Sequence, residues 1–206
     1  MCLLAAFVLW TVAICFVDVQ TIGPQDSSVG FAGIKHLVHN LTGVHFRLYH
    51  ITDWLGLVPI LVCIGFGVLG AAQWIKRKSI CKVDYDILVL GGFYMATISA
   101  YLLFEHVVIN YRPVLIDGIL EVSYPSSTTM LVMCVMPTAI MQLGRRIKSK
   151  TIRNIVTAAI ITFIVFMVVG RLISGVHWFT DIVGGALLSA SLVTMYYGVI
   201  KIAIVP

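Results

Sequence analysis

The sequence predicts an all-α integral membrane protein: a six-helix bundle with an interfacial helix in the first external loop. Three observations predict it. The 206 residues are 60% hydrophobic and only 11% charged, with a mean hydropathy of +1.01, whereas soluble domains run nearer about 25% charged. The charges cluster and leave six charge-free windows, 1–17, 54–75, 87–104, 122–144, 154–170 and 182–200, close to the roughly 17–25 residues a spanning helix needs. These windows are continuously apolar, whereas the strands of a membrane barrel alternate. The same composition excludes a disordered tail, a disulfide-rich secreted mini-protein and an ordinary cytosolic enzyme.

The first window lacks a basic leading region and a small-residue cleavage site before Asp18, so it reads as a retained helix rather than a signal peptide. Residues 19–53 are too long for a turn. After the breaker-rich TIGPQDSSVG, apolar residues recur at Phe31, Ile34, Val38 and Leu41, with Lys35, His36, His39 and Asn40 opposite. That is a helical stripe suited to the membrane interface. A metal site on His36 and His39 would lack a carboxylate at helical spacing, so no metal and no cofactor is expected. Further spans are expected at 54–75, 87–104, 125–144, 154–170 and 181–202. The two shortest windows, 1–17 and 154–170, should borrow flanking residues. No linker or repeat divides the chain, which reads as one domain, 1–206. None of the five cysteines falls in an external loop, so no disulfide is expected.

The net charge of +5 sits in short basic clusters between apolar runs, the look of cytoplasmic loops rather than of a nucleic-acid site. One set of connections, 76–86 and 145–153 with Lys201, carries ten basic residues against two acidic ones. The other, 18–53, 105–121 and 171–181, carries four against seven. The Lys/Arg bias makes the first set cytoplasmic and the second external, with both termini cytoplasmic. All six histidines (His36, His39, His45, His50, His106 and His177) then lie on the external side.

Chemistry concentrates there. Arg171, His177 and Asp181 are spaced R-x5-H-x3-D. With a helix starting near His177, the histidine and the carboxylate share one face, which fixes ring orientation for a nucleophile or base. Arg171 offers a planar fork for an oxyanion. Taken singly, Arg171 could snorkel to headgroups and His177-Trp178 could belong to an aromatic belt. The cost of polar groups near membrane depth favours function for the three together. On the same side, Arg112-Pro113 places a cation in a turn. Pro125-Ser126-Ser127-Thr128 opens the next helix, either as a plain N-cap or as a phosphate site at a helix N-terminus.

In this order the residues resemble the type 2 phosphatidic acid phosphatase superfamily. Its signature is a lysine seven residues before Arg-Pro, then Pro-Ser-Gly-His, then Ser-Arg-x5-His-x3-Asp. The resemblance spans about residues 54 to 195, with Arg112-Pro113 and Arg171, His177 and Asp181 intact. The departures are Glu105 for the lysine, Ser127 for the glycine, Thr128 for the second histidine and Gly170 for the serine. The resemblance implies a hydrolase of lipid phosphates or diphosphates in which His177 becomes a phosphohistidine and Asp181 orients its ring. Arg112, Arg171, Ser126, Ser127 and Thr128 would hold phosphate. Thr128 cannot replace the histidine as general acid at neutral pH, which leaves Glu105 or His106 for that part. A site without that acid suits a diphosphate such as a polyprenyl diphosphate, whose leaving group departs without much proton help. The resemblance further implies a membrane lipid as substrate, the bilayer as surroundings and, for bacterial members, the plasma membrane. A phosphotransferase and a non-catalytic lipid-phosphate binder or transporter are the alternatives.

Overall fold

Eight α-helices follow one another in the computed structural model, which describes residues 2–204, with side chains described to residue 202. They are α1 (Cys2–Phe16), α2 (Ala32–Thr42), α3 (Phe46–Leu55), α4 (Leu57–Arg77), α5 (Tyr85–His106), α6 (Ser127–Arg146), α7 (Lys150–Ile173) and α8 (Phe179–Ile204). Among the described residues, five runs are long and apolar enough to cross a bilayer: Phe46–Arg77, Tyr85–His106, Ser127–Arg146, Lys150–Ile173 and Phe179–Ile202. The sixth apolar helix, α1, has 15 residues, about 22 Å at 1.5 Å per residue. It does not extend beyond its charge-free window, because the chain turns at Asp18 (φ 46°). In contrast, α7 overruns its window at both ends.

The helix α6 is the hub, packed against α4, α5, α7 and α8. Its position explains its composition. A helix surrounded by protein can carry polar side chains if they find partners. Thr138 donates to the Cys134 carbonyl (3.0 Å), and Gln142 donates to the Tyr196 hydroxyl (2.6 Å). By contrast, Leu61 and Ile75 on α4, and Ile155 and Val165 on α7, are exposed. Their apolar faces suit lipid. At the end of the bundle away from the candidate site, Asp86 sits beside Arg146 (3.2 Å) and Arg145 (3.8 Å).

The stretch 19–53 holds two helices where one was expected. The second, α3, continues into α4 through a single helical residue, Gly56. Arg47, His50 and Asp53 make this segment read as loop, yet Thr52 is buried against α7 and Asp53 reaches Arg171. On α2, Ile34, Leu37 and Leu41 face outward, while Lys35 is fully buried. Of the polar residues, Lys35 and His39 turn to the protein, while His36 and Asn40 stay exposed.

Residues 107–126 form a hairpin-like excursion. The Ser123 amide donates to the Asn110 carbonyl (2.9 Å), the Arg112 amide to Glu121 (3.0 Å) and the Ile119 amide to Ile116 (2.8 Å). The tip is Asp117-Gly118, both at positive φ (49° and 78°), as a two-residue hairpin turn requires. Arg112 therefore lies in a ladder, not in the turn that Arg112-Pro113 suggested. Tyr124 anchors the base of the excursion. Its hydroxyl meets Thr11 Oγ1 at 2.7 Å, and its ring packs on Phe7 and Phe104.

Candidate active site

Six pieces of chain meet at one end of the bundle: α3, the 107–126 excursion, the start of α6, the end of α7, the turn 174–178 and the start of α8. Gly175 shapes the turn. It holds φ +69°, and a Cβ there would come within 1.9 Å of the Gly43 carbonyl oxygen. The close approach lets the His45 amide donate to the Ser174 carbonyl at 2.9 Å.

His177 sits just before α8 rather than on its first turn, and is 3% exposed. Arg112 Nη1 lies 3.1 Å from its Nε2, and Ser123 Oγ lies 3.1 Å from its Nδ1. A guanidinium can only donate, so the network assigns the lone pair to Nε2 and the proton to Nδ1. The Nδ1–H then donates to Ser123 Oγ, whose O–H donates to Asp181 Oδ2. The ring and the carboxylate themselves stay 3.8 Å apart. Burial is the main force on the imidazole, and the charges of Arg112 and Arg171 add to it. Against the opposing pull of Asp181, they take the His177 pKa down to about 4. This favours the neutral ring near neutral pH, with the Nε2 lone pair accepting from Arg112.

Asp181 is also a capping residue. Its Oδ2 accepts from the Trp178 amide (3.0 Å), one half of a capping box, and its Oδ1 accepts from Asn110 Nδ2 (3.1 Å) and Thr180 Oγ1 (3.3 Å). The start of α8 and the orientation of this carboxylate are one structural event.

The two arginines flank one ring. The Arg171 guanidinium lies 4.9 Å from the Tyr49 ring centroid, and that of Arg112 lies 5.9 Å from it. Cation–π attraction offsets part of the repulsion between them. Arg171 also donates to Thr52 Oγ1 (3.4 Å) and Asp53 Oδ1 (3.5 Å), while Arg112 Nε pairs with Glu121 (2.9 Å). Gly170 makes this possible, since a Cβ there would stand 2.8 Å from Thr52 Cγ2.

Ser126 caps α6, its hydroxyl accepting from Thr129 Oγ1 (3.0 Å), while its amide donates to the Asp181 carbonyl (3.0 Å). The amides of Ser127 and Thr128, in the first turn, lack intrahelical acceptors. Thr128 is buried toward Gly56 and lines an apolar groove of about 540 Å³ with Leu57, Ile60 and Leu131. A small pocket of about 30 Å³ brings together Glu105, Ser123, Ser127 and His177. The groove and the pocket share Tyr101, Ser127 and Met130 as a common wall. His106 is exposed, and its Nδ1 sits 2.8 Å from the Leu102 carbonyl.

Tyr49, Thr52, Asp53, Asn110 and Ser123 also belong to the site, although none of them stands in a motif. Ser123 had a signal: it is a hydroxyl inside the apolar window 122–144. Asp117-Gly118 likewise announced the hairpin that carries Asn110, Arg112 and Ser123. For the α3 residues, only the fold supplies the partners.

No curated protein matches this chain in sequence. A solved structure does match in fold: that of the first transmembrane PAP2 type phosphatidylglycerolphosphate phosphatase from Bacillus subtilis. It aligns over 97% of this chain and 94% of its own, with a TM-score of 0.68 and 17% identity. The family model of the PAP2 superfamily covers residues 98–203, from α5 through the excursion to α8. With more than half of its residues inside that match, the chain belongs to the PAP2 superfamily.

Proposed function

We propose that the protein is a membrane lipid phosphatase that works through a phosphohistidine at His177. The observation that carries this is the buried His177 imidazole whose Nε2 faces Arg112, in a small pocket that shares Tyr101, Ser127 and Met130 with an apolar groove of about 540 Å³. Nε2 attacks phosphorus, the bond from phosphorus to the leaving oxygen breaks, and the Nδ1 proton stays with the Ser123–Asp181 relay. Water then attacks the phosphohistidine, releasing inorganic phosphate and restoring the ring. Arg112, Arg171 and the amides of Ser127 and Thr128 hold the phosphate oxygens, the type of preorganised donor set that stabilises developing charge. The phosphate displaces Arg112 from Nε2.

Glu105 would protonate a leaving alkoxide, a role supported by its lining the pocket beside His177. A diphosphate lipid needs little such help, because it expels a phosphate monoester. A polyprenyl-type diphosphate can therefore be cleaved whether or not Glu105 gives a proton, which keeps that class among the proposed substrates. The charge bias of the loops supports an external site with both termini cytoplasmic, and the family resemblance suggests the plasma membrane of a bacterium. A cysteine in place of Ile119 should then react with an impermeant thiol reagent on intact cells, and one in place of Ser149 should not.

Glu105 in the lysine's place favours a second reading, a lipid-phosphate binder without turnover. Phosphate release from matched mono- and diphosphate lipids, by wild type and His177→Ala, separates the two. Release by wild type that is lost in the variant supports the phosphatase. Saturable binding without release by wild type supports the binder.

A further inference from the structure

Lys35 stands on none of the segments that carry the family motifs, yet it is carried to the site by α2. Its side chain is 0% exposed. Its ammonium has no hydrogen-bond partner and stands over the Trp178 ring, 5.4 Å from the centroid. Burying a charge without a partner is costly, so this lysine calls for an explanation other than packing.

The first loop is built to hold it there. The Gly33 amide donates to Asp18 Oδ2 (2.7 Å), and the Phe31 ring stacks on Trp10 at 5.4 Å. Trp10 Nε1 in turn donates to the Thr180 carbonyl (3.2 Å), and His39 Nε2 lies 3.1 Å from the Gly175 carbonyl. These contacts fasten α2 across the turn 174–178 and the start of α8.

The charge has an evident counterpart. Asp181 is fully buried, and its four donors, Asn110, Ser123, Thr180 and the Trp178 amide, are all neutral. Arg112 is engaged by His177 and Glu121, and Arg171 by Thr52 and Asp53. Lys35 stands over the Trp178 ring, whose own amide donates to Asp181, and its charge acts on that carboxylate. Burial pulls its pKa down to about 8, and the attraction of Asp181 limits the fall.

We propose that Lys35 is a positioning residue: a buried cation, brought from the first loop, that balances the Asp181 carboxylate and keeps the His177 ring neutral. The inference rests on the phosphatase reading above. A cation beside the pair stabilises the carboxylate and disfavours the imidazolium. Removing it lets His177 protonate more easily, so the acid limb of kcat/KM moves to higher pH.

The test is the pH profile of kcat/KM for lipid diphosphate hydrolysis by the full chain in nanodiscs. Wild type, Lys35→Met, Lys35→Gln and Lys35→Arg are compared, with His177→Ala as control. The other titratable groups that face the pair or Lys35 are Arg112, Glu121, Arg171, Tyr49, Asp53, Glu105 and His39, and all are unchanged in the variants. Lys35→Met or, if it does not assemble, Lys35→Gln should raise the acid limb by a few tenths of a pH unit or more, through the carboxylate that Lys35 balances. Lys35→Arg should leave it near the wild-type position. An acid limb unmoved in the neutral variants, whatever their rate, overturns the proposal and makes Lys35 a packing residue. So does a limb that moves equally in Lys35→Arg. If His177→Ala retains wild-type release, the phosphatase mechanism itself fails, a separate outcome.

Discussion

His177 and Asp181 do not touch: Nδ1 and Oδ2 stand 3.8 Å apart, and the Ser123 hydroxyl bridges them. The family pattern of a histidine and a carboxylate four residues apart is therefore completed by a residue from the 107–126 excursion. This hydroxyl both accepts from the ring and donates to the carboxylate, so it transmits orientation and charge support at once.

Ser123→Ala should accordingly slow turnover without unfolding the bundle. A hydrogen bond to a charged group is worth about 1.5–3 kcal/mol, which corresponds to a loss of about tenfold to 100-fold in kcat. Steady-state phosphate release, beside a thermal melt of the same sample, checks it. Wild-type kcat in the variant would remove Ser123 from the relay.

The acidity of His177 gives a second expectation. The ring must be neutral to attack, and its pKa is lowered to about 4. Activity should therefore persist as pH falls past the ordinary histidine value near 6.5, and be lost only as protonation sets in around pH 4. The acid limb of kcat/KM, which reports the free enzyme, measures this. A limb at 6 or above would mean that the ring is better solvated than its 3% exposure indicates.

Glu105→Gln should divide the substrates. A monophosphate lipid needs its alkoxide protonated, so its rate should fall by about 10²–10⁴, while diphosphate hydrolysis should hold within a few-fold. Matched lipids differing only in the number of phosphates provide the comparison. Equal losses on both would assign Glu105 to binding rather than to protonation.

Restoring the family's serine at Gly170 should harm this chain. A new Cβ would press on Thr52 Cγ2 at 2.8 Å, and overpacking of this type costs about 1–3 kcal/mol. Gly170→Ser should lower the melting temperature. Adding Thr52→Ser, which removes the methyl but keeps the hydroxyl for Arg171, should recover most of it. If the double variant melts no higher than Gly170→Ser alone, the methyl contact is not what constrains the position.

The fold class and the family were legible in the sequence because the signals are local. Charge-free runs mark apolar helices, and the R-x5-H-x3-D spacing at Arg171, His177 and Asp181 is a compact motif. What escaped was long-range. Asp53 reads as a loop charge until Arg171, 118 positions later, is placed beside it. Lys35 reads as the polar face of an interfacial helix until the Trp178 ring lies under it. Ser126 and Thr128, read together as phosphate ligands, separate in three dimensions. One hydroxyl caps its own helix and the other side chain faces the apolar groove. Periodicity fixes which side of a helix a residue takes, but not what that side meets.

Phosphoryl transfer to His177, as proposed, leaves a covalent mark on the ring. Rapid acid-free quenching of the wild-type protein with a lipid diphosphate bearing radiolabelled terminal phosphate tests it most directly, with the label mapped by mass spectrometry. The account predicts an alkali-stable, acid-labile phosphopeptide containing His177, formed at a rate no slower than steady-state turnover and absent from His177→Ala. Turnover by wild type with no label on His177, or undiminished turnover by His177→Ala, would contradict it.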